Sequence, residues 1–144
     1  MLHVRIVAVG GIKESFYSGA IAEYVKRLQK YCKLEIIEVG ESTLEKEAGA
    51  IIAKLKGHVI LCDINGTLVT SVDLAKKIES ISQFSSVVTF VIGGSDGVGN
   101  HLDSVVFEKI SFGRITLPHQ LFRVLLVEQV YRAFTINRGE KYHK

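Results

Sequence analysis

A glycine-rich stretch, IGGSDGVG at residues 92–99, is the first part of the chain that could do chemistry. Glycine adopts positive φ angles at no steric cost, and its missing Cβ lets a ligand approach the backbone closely. The glycines fit neither the G-x-G-x-x-G spacing of dinucleotide-binding loops nor the G-x-x-x-x-G-K-[ST] spacing of the P-loop. The stretch therefore predicts either a ligand-binding loop of another kind or a tight turn between a strand and a helix.

The C-terminal tail, INRGEKYHK at residues 136–144, is the second such part because it mixes basic and aromatic side chains. Arginine and lysine hold phosphates, and tyrosine and histidine stack on unpaired bases. Positive charge gathers at this end, since residues 114–144 contain six Lys or Arg against two Glu. The pattern favours an RNA partner over a small anionic metabolite, and a disordered or merely solubilising tail is the alternative.

Other reactive side chains are too scattered in the sequence to form a site. Cys32 and Cys62 lie far apart, and none of the five histidines has a histidine or cysteine partner at metal-ligand spacing. The G-x-S-x-G motif of serine hydrolases is absent. We therefore expect two reduced thiols and no metal.

Hydrophobic periodicity and turn residues predict the elements that position these residues. The predicted strands cover 2–9, 33–39, 58–64 and 87–92, and the predicted helices cover 15–31, 42–56, 70–84, 100–109 and 117–135. Ser42 with Glu45 has the pattern of a capping box, as has Thr70 with Asp73. Asn65-Gly66 is expected to turn the chain between the third strand and the following helix.

This order of elements favours one α/β domain, residues 1–144, with a mostly parallel sheet flanked by helices on both faces. Ligands bind such sheets beyond the carboxyl ends of the strands. Three loops are expected there, at 63–66, 93–99 and 111–118, and they define the predicted crevice. No signal peptide or apolar run long enough to cross a membrane is visible, so we expect a cytoplasmic protein.

The stretch TLPHQLFR, residues 116–123, contains the only proline of the chain. Pro118 suits the first turn of a helix, where its missing N–H matters least, and Thr116 could cap that helix. The helix is apolar on more than one face, which predicts a homodimer through it, with burial inside the monomer as the alternative. Glu128 and Arg132 are spaced as an i,i+4 ion pair, and Arg123 and Arg132 are expected to hold phosphate or the partner subunit.

Three segments together resemble the ribosomal RNA large-subunit methyltransferase H family, of the SPOUT class. They are VRIVAVGGIKE (4–14), FVIGGSDG (90–97) and SFGRITLPHQLFRVLLVEQVYRAFTINRGEKYHK (111–144). The resemblance covers nearly the whole chain, although the segment 40–57 is shorter than in many members. It implies a homodimeric enzyme with a C-terminal trefoil knot that binds S-adenosylmethionine. The implied substrate is N3 of a pseudouridine in 23S rRNA of the assembled ribosome.

The resemblance also implies which residues contact the cofactor. They are Cys62, Gly93, Gly113, Arg114, Ile115, Thr116, Leu117 and Pro118. For catalysis we hypothesise that Arg138, Tyr142 and His143 order over the rRNA base, with one subunit holding the cofactor and the other donating its tail. His143 is the expected proton acceptor, because an unperturbed imidazole titrates near neutral pH.

Two rival functions are open at this point. A non-enzymatic RNA-binding module would use the same basic tail and would have no affinity for S-adenosylmethionine. A flavodoxin-like or phosphate-binding domain would use the glycine loop, 93–99, to bind flavin or nucleotide phosphates instead.

Overall fold

The structure, a computed structural model, describes the whole chain, residues 1–144. Its elements are β1 His3–Val9, α1 Ser15–Leu28, β2 Lys33–Val39, α2 Leu44–Ile52, β3 His58–Leu68, α3 Ser71–Ser82, β4 Val87–Ile92, β5 Glu108–Ser111 and α4 His119–Asn137. The five strands form one parallel sheet in the order β2-β1-β4-β3-β5. The predicted α/β fold with a parallel sheet is confirmed.

Both faces of the sheet are covered, which explains why its central strands are almost continuously apolar. Successive side chains of a strand point to opposite faces, and β1 divides its residues in this way. Ile6 belongs to the core shared with α1, α3 and α4, whereas Val7 packs with α2 and the turns of residues 98–105. The three helices on the first face include α4, which follows the predicted crevice loops directly and packs on α1 and α3.

β3 differs from the prediction, because it runs on to Leu68 and has a bulge where a turn between elements was expected. β5 pairs with Ile60–Cys62 and again with Thr67–Leu68, so residues 63–66 leave the ladder and return to it. A Cβ at Gly66 would lie 2.7 Å from the carbonyl carbon of Lys109. The bulge therefore depends on glycine for the close approach of the β5 backbone.

The helix predicted at 100–109 is absent, and this prediction was wrong. Residues 99–105 form turns, with i to i+3 bonds from the amides of His101, Asp103 and Val105, and the chain then enters β5. Pairing with β3 takes up residues 108–111, which the local pattern had assigned partly to the helix.

The predicted capping boxes have different outcomes. In α3 it is confirmed, because the Asp73 amide donates to Thr70 Oγ1 at 3.0 Å and the Thr70 amide donates to Asp73 Oδ2 at 2.9 Å. In α2 the N-cap is Thr43, which accepts from the Lys46 amide at 3.2 Å. The Ser42 amide donates instead to Glu47 at 2.9 Å, so the cap lies one residue later than predicted.

The last helix, α4, begins at His119 with Pro118 as its N-cap. The Pro118 carbonyl accepts the first helical bond from the Phe122 amide at 2.9 Å, and no side chain caps the helix. The expected cap by Thr116 is therefore wrong, because the helix starts too late for its hydroxyl to serve.

The trefoil knot stays a prediction.

No helix in the structure has both the length and the apolar content that a membrane crossing requires.

Candidate active site

The three predicted loops meet around one cavity of about 1050 Å³ at the carboxyl ends of the strands. β3 and its bulge contribute Cys62 and residues 63–65, the glycine loop contributes most of residues 93–99, and the last loop contributes residues 111–113 and 115–117. The crevice that the strand-end rule predicts is thus present. Its volume slightly exceeds the range of about 300–1,000 Å³ that is usual for small-molecule pockets.

The glycine loop is a tight turn and a cavity wall at the same time. The Gly97 amide donates to the Gly94 carbonyl at 3.0 Å, and Gly97 has a φ of 72°. A Cβ at Gly93 would lie 3.0 Å from both the Gly97 carbonyl carbon and Val98 Cγ1. Glycine at 93 therefore lets the loop fold onto itself, which leaves its backbone as the surface that a ligand would meet.

Two hydrogen bonds between Ser111 and Gly113 fix the start of the last loop. Ser111 Oγ donates to the Gly113 carbonyl at 2.8 Å, and the Gly113 amide donates to Ser111 Oγ at 3.2 Å. A Cβ at Gly113 would meet nothing within 4 Å, so this part of the loop borders open space. Ile115, with 76% of its surface exposed, stands at the rim as an apolar side chain without a partner.

Arg114 and Pro118, both predicted cofactor contacts, do not line the cavity. Arg114 Nη1 instead donates to the Ile64 carbonyl and, at 3.0 Å, to the Gly66 carbonyl. The side chain thus fastens the last loop to the β3 bulge. Pro118 fixes the backbone where the same loop enters α4.

Cys62 ends the regular part of β3 and lines the cavity. Burial raises the pKa of its thiol to about 12, so the group is neutral at physiological pH. It offers a small apolar surface rather than a thiolate nucleophile.

One side of α4 extends the cavity beyond the predicted loops. Its lining residues there are Leu121, Phe122, Val124, Leu125, Glu128 and Gln129, and Tyr24 of α1 joins them. Sequence reasoning assigned this side to a subunit interface and did not connect it with the crevice. The signal that could have done so is the spacing of 121, 125 and 128, which places these side chains on one face of a helix leaving the last loop.

Tyr142 and His143, two of the three predicted catalytic residues, lie together beside Arg132 of α4. The Tyr142 ring is 4.7 Å from the Tyr131 ring and 4.7 Å from the Arg132 guanidinium, and its hydroxyl is 3.5 Å from the Tyr24 hydroxyl. Arg132 Nη1 also lies 3.1 Å from His143 Nδ1. Burial and the Tyr24 hydroxyl raise the pKa of Tyr142 to about 12, so this phenol keeps its proton at neutral pH.

Arg138, the third predicted catalytic residue, lies elsewhere. Its guanidinium stacks over the Tyr31 ring at 4.7 Å and borders a separate cavity of about 230 Å³ between α3 and α4. Because α4 separates it from the three loops, the structure does not bring Arg138 to the main cavity of its own chain.

The two arginines of α4 are both engaged within the chain. Arg123 is only 3% exposed; its Nη1 donates to Glu38 at 2.6 Å and its Nη2 to the Gly10 carbonyl at 3.0 Å. The phosphate-holding role expected for Arg123 is therefore wrong, because its charge is buried and paired. The predicted Glu128–Arg132 pair is confirmed, with Arg132 Nε 2.8 Å from Glu128 Oε1.

Comparison with known proteins gives consistent results along the whole chain. Residues 2–143 match the family described as "Predicted SPOUT methyltransferase". The ribosomal RNA large subunit methyltransferase H of Oenococcus oeni is 48% identical over 160 residues, with both chains fully covered. That of Latilactobacillus sakei subsp. sakei is 42% identical over 159 residues, covering 99% of this chain and 100% of its own.

A solved structure also matches, that of the SpoU methyltransferase AviRb from Streptomyces viridochromogenes in complex with AdoMet. It is 11% identical, with a TM-score of 0.48, over 97% of this chain and 59% of the other. The Oenococcus alignment spans 160 positions against 144 residues here, so that relative carries residues this chain lacks. Matched over nearly its whole length, the chain belongs to the SPOUT methyltransferases and, within them, to the ribosomal RNA large subunit methyltransferase H family.

Proposed function

We propose that this chain is an S-adenosylmethionine-dependent methyltransferase that modifies N3 of a pseudouridine in 23S rRNA of the assembled ribosome. The observation that carries the proposal is the single cavity formed by three strand-end loops, in a chain of this family. Residues 1–144 would act as one SPOUT domain, and the ribosome as substrate places its action in the cytoplasm.

The cavity suits the cofactor that the family implies. An adenosyl group needs an apolar slot with accessible backbone, and Ile92, Val98 and Leu117 line this cavity beside Gly93 and Gly113. We assign the cofactor to the side formed by Cys62, the glycine loop and residues 113–118, with Arg114 and Pro118 acting by holding that last loop. When bound, the cofactor supplies a methyl group on a sulfonium, which is already an activated electrophile.

The protein must then align the nucleotide and allow its N3 proton to leave. Alignment of two reactants in one site lowers the activation barrier by several kcal/mol. Residues that hold the base in place can therefore supply much of the catalysis. Arg132, the ion-pair partner of Glu128, contacts both Tyr142 and His143 of the tail, so α4 and the tail can approach a base as one unit. These two tail residues are therefore our candidates for contact with the base.

A homodimer completes the proposal. The cavity side of α4 carries Leu121, Val124 and Leu125, which are only half-buried and face open space. Arg138 follows the far end of α4, about 28 Å along a helix of 19 residues from the last loop. We propose that a second subunit covers this face and that each tail, with Arg138, serves the cofactor site of the partner.

The assay of the proposal is transfer of tritiated methyl groups to undermethylated ribosomes, compared with free rRNA. We expect counts in the ribosome sample that depend on S-adenosylmethionine, and counts in neither sample would rule the activity out. Gly93→Ala, which crowds the glycine loop, should lose transfer, while Gly49→Ala in α2, where nothing lies within 4 Å of the new Cβ, should retain it.

Calorimetry separates the proposal from its rivals. An RNA-binding module without activity would bind rRNA and show no heat with S-adenosylmethionine. A flavodoxin-like domain would bind flavin mononucleotide in the same cavity, and we expect no such binding.

A further inference from the structure

A chain of polar side chains connects α3 to the C-terminal tail along α4. Ser71 Oγ donates to Gln129 Oε1 at 2.6 Å, and Gln129 Nε2 donates to Glu128 Oε2 at 3.0 Å. Arg132 Nε donates to Glu128 Oε1 at 2.8 Å, and Arg132 Nη1 lies 3.1 Å from His143 Nδ1. Glu128 and Arg132 are partly buried, with 15% and 24% of their side chains exposed, so solvent screens the pair less than a surface pair.

The hydrogen bond between Arg132 and His143 can run in only one direction, from the guanidinium to the imidazole. A guanidinium carries N–H donors and no acceptor, so the hydrogen bond requires a lone pair on His143 Nδ1. The hydrogen bond that Arg132 donates to Glu128 raises the pKa of Arg132, which keeps the guanidinium charged at every relevant pH. A neutral imidazole with Nδ1 as acceptor bears its proton on Nε2.

This tautomer changes what His143 can do. The lone pair of Nδ1 accepts the hydrogen bond from Arg132. The other ring nitrogen, Nε2, carries a proton and can only donate. While Arg132 holds the ring, His143 cannot take the N3 proton, which is the role that its residue type suggested. It can instead donate a hydrogen bond to an acceptor placed beside the tail.

The target base offers such an acceptor. N3 of a uracil ring lies between two carbonyl groups, and loss of its proton spreads negative charge onto both oxygens. A donor already fixed toward one of these oxygens stabilises the charge as it develops.

Resting on the proposed function, we propose that Glu128 and Arg132 are positioning residues that fix His143 as a hydrogen-bond donor, through Nε2, to a carbonyl oxygen of the target pseudouridine. The N3–H bond breaks with its electron pair staying on the ring, and the proton passes to solvent water. N3 then forms its bond to the methyl carbon as the carbon–sulfur bond breaks and its electron pair goes to sulfur.

The surroundings of His143 fit this role. The carboxylates among the charged groups near it, Glu128 and Glu23, are each paired with an arginine, Arg132 and Arg27. The other groups are cations or phenols: Arg27 of α1, which lies over the Tyr24 and Tyr131 rings at 5.2 and 5.6 Å, Lys141 and Lys144 of the tail, and Tyr24, Tyr131 and Tyr142. Such a set favours an anionic form of the bound base.

Substitution of His143 separates a donor from a proton acceptor. The amide nitrogen of a glutamine reaches about the position of Nε2 and donates, but it accepts no proton at neutral pH. In single-turnover methyl transfer to ribosomes at pH 6–9 we expect His143→Gln to keep the wild-type pH profile and most of the rate. His143→Ala should lose about 100-fold, as for removal of one oxyanion donor. Equal losses in both variants would overturn the donor role.

Substitution within the pair tests the positioning. Glu128→Gln and Arg132→Gln should each slow the methyl-transfer step with unchanged affinity for S-adenosylmethionine, and the double variant should be no slower than Arg132→Gln alone. Additive losses would show that Glu128 does not act through Arg132. Glu35→Gln is the control, since Glu35 forms an ion pair with Arg5, at 3.1 Å, between β1 and β2 and outside the cavity and the tail.

A spectroscopic readout is independent of activity. The ¹⁵N chemical shifts of the His143 ring should show an unprotonated Nδ1 and a protonated Nε2 in the wild type, with loss of this preference in Arg132→Gln. A protonated Nδ1 in the wild type would overturn the inference even if methyl transfer is intact. If the wild type transfers no methyl group but shows the expected tautomer, the proposed function fails and the hydrogen-bond chain stands.

Discussion

Single residues decide whether the cavity can form, and glycines decide it most sharply. The β3 bulge, the glycine loop and the last loop each contain a glycine, but the reasons differ. Gly66 is required because the β5 backbone touches it, Gly93 because the loop folds onto itself, and Gly113 because its φ is 147°. Added side chains at these positions should therefore have distinct effects on folding and on binding.

The first prediction concerns Gly66→Ala. Its Cβ would lie 2.7–2.8 Å from backbone atoms of Lys109 and Ile110, so β3 and β5 must separate. We expect the free energy of unfolding in urea to fall by about 1–3 kcal/mol, the usual cost of overpacking. Gly49→Ala, inside α2 with open space around it, should raise the same quantity by about 0.5–1 kcal/mol. Equal changes in the two variants would show that the close approach is not present.

The second prediction concerns the two thiols. Burial raises the pKa of both Cys32 and Cys62 to about 12. Only the thiolate reacts quickly with iodoacetamide, so the folded protein should be alkylated slowly at pH 7–9 and rapidly once unfolded. The unfolded thiols ionise first, so this contribution to stability is complete below about pH 9 and is lost as the pH rises toward 12. Rapid alkylation of Cys62 in the native protein at pH 8 would contradict the raised pKa of its thiol.

Among the secondary-structure elements, the cavity depends on the loops that follow the strands. A few side chains hold these loops together. Arg114 joins the last loop to the β3 bulge, and α4 carries the cavity onward to Glu128. The side of the cavity that we propose for the cofactor is thus built by backbone and held by one exposed cation, whereas the side proposed for RNA is built by side chains of a helix and the tail.

The third prediction concerns Arg114→Ala. Loss of its two hydrogen bonds should free the last loop and weaken S-adenosylmethionine binding about 10-fold, the equivalent of one or two net hydrogen bonds. The residue is exposed, so the unfolding free energy should hardly change. Calorimetry and urea unfolding of the same sample measure both quantities. Unchanged affinity would show that the bulge and the last loop hold their shapes independently.

The sequence predicted the elements whose causes are local. The β2 and β4 strands and the Thr70 cap depend on neighbouring residues, and the strand-end rule located the three loops before any side chain was placed. The bulge of β3 and the missing helix at 100–109 could not be predicted, because both follow from pairing with β5 across the sheet. The hydrogen-bond partners of long side chains could not be predicted either. Arg123, for example, binds Glu38, which lies 85 residues away in the sequence.

In the molecule as a whole, the last loop of the cavity and Arg138 lie at opposite ends of α4. A single chain therefore cannot present all the predicted site residues to one base without moving its tail. In a homodimer through α4, the tail of one subunit can approach the loops of the other, which makes each site the product of two chains.

The fourth prediction follows from this arrangement. A dimer mixed from Gly93→Ala subunits and subunits truncated after Asn137 should recover part of the methyl transfer that each variant lacks alone. Recovery requires that one site in the mixed dimer combine an intact glycine loop with an intact tail. No recovery, with dimers present by analytical ultracentrifugation, would place loop and tail in the same chain.

Mass spectrometry of nucleosides from the 23S rRNA of ribosomes that lack the modification would show whether the protein methylates the pseudouridine. After incubation with the protein and S-adenosylmethionine, we predict a methylated pseudouridine, with the methyl group on N3, that Gly93→Ala does not produce. Unmodified pseudouridine after incubation with a protein that binds S-adenosylmethionine in calorimetry would contradict the claim.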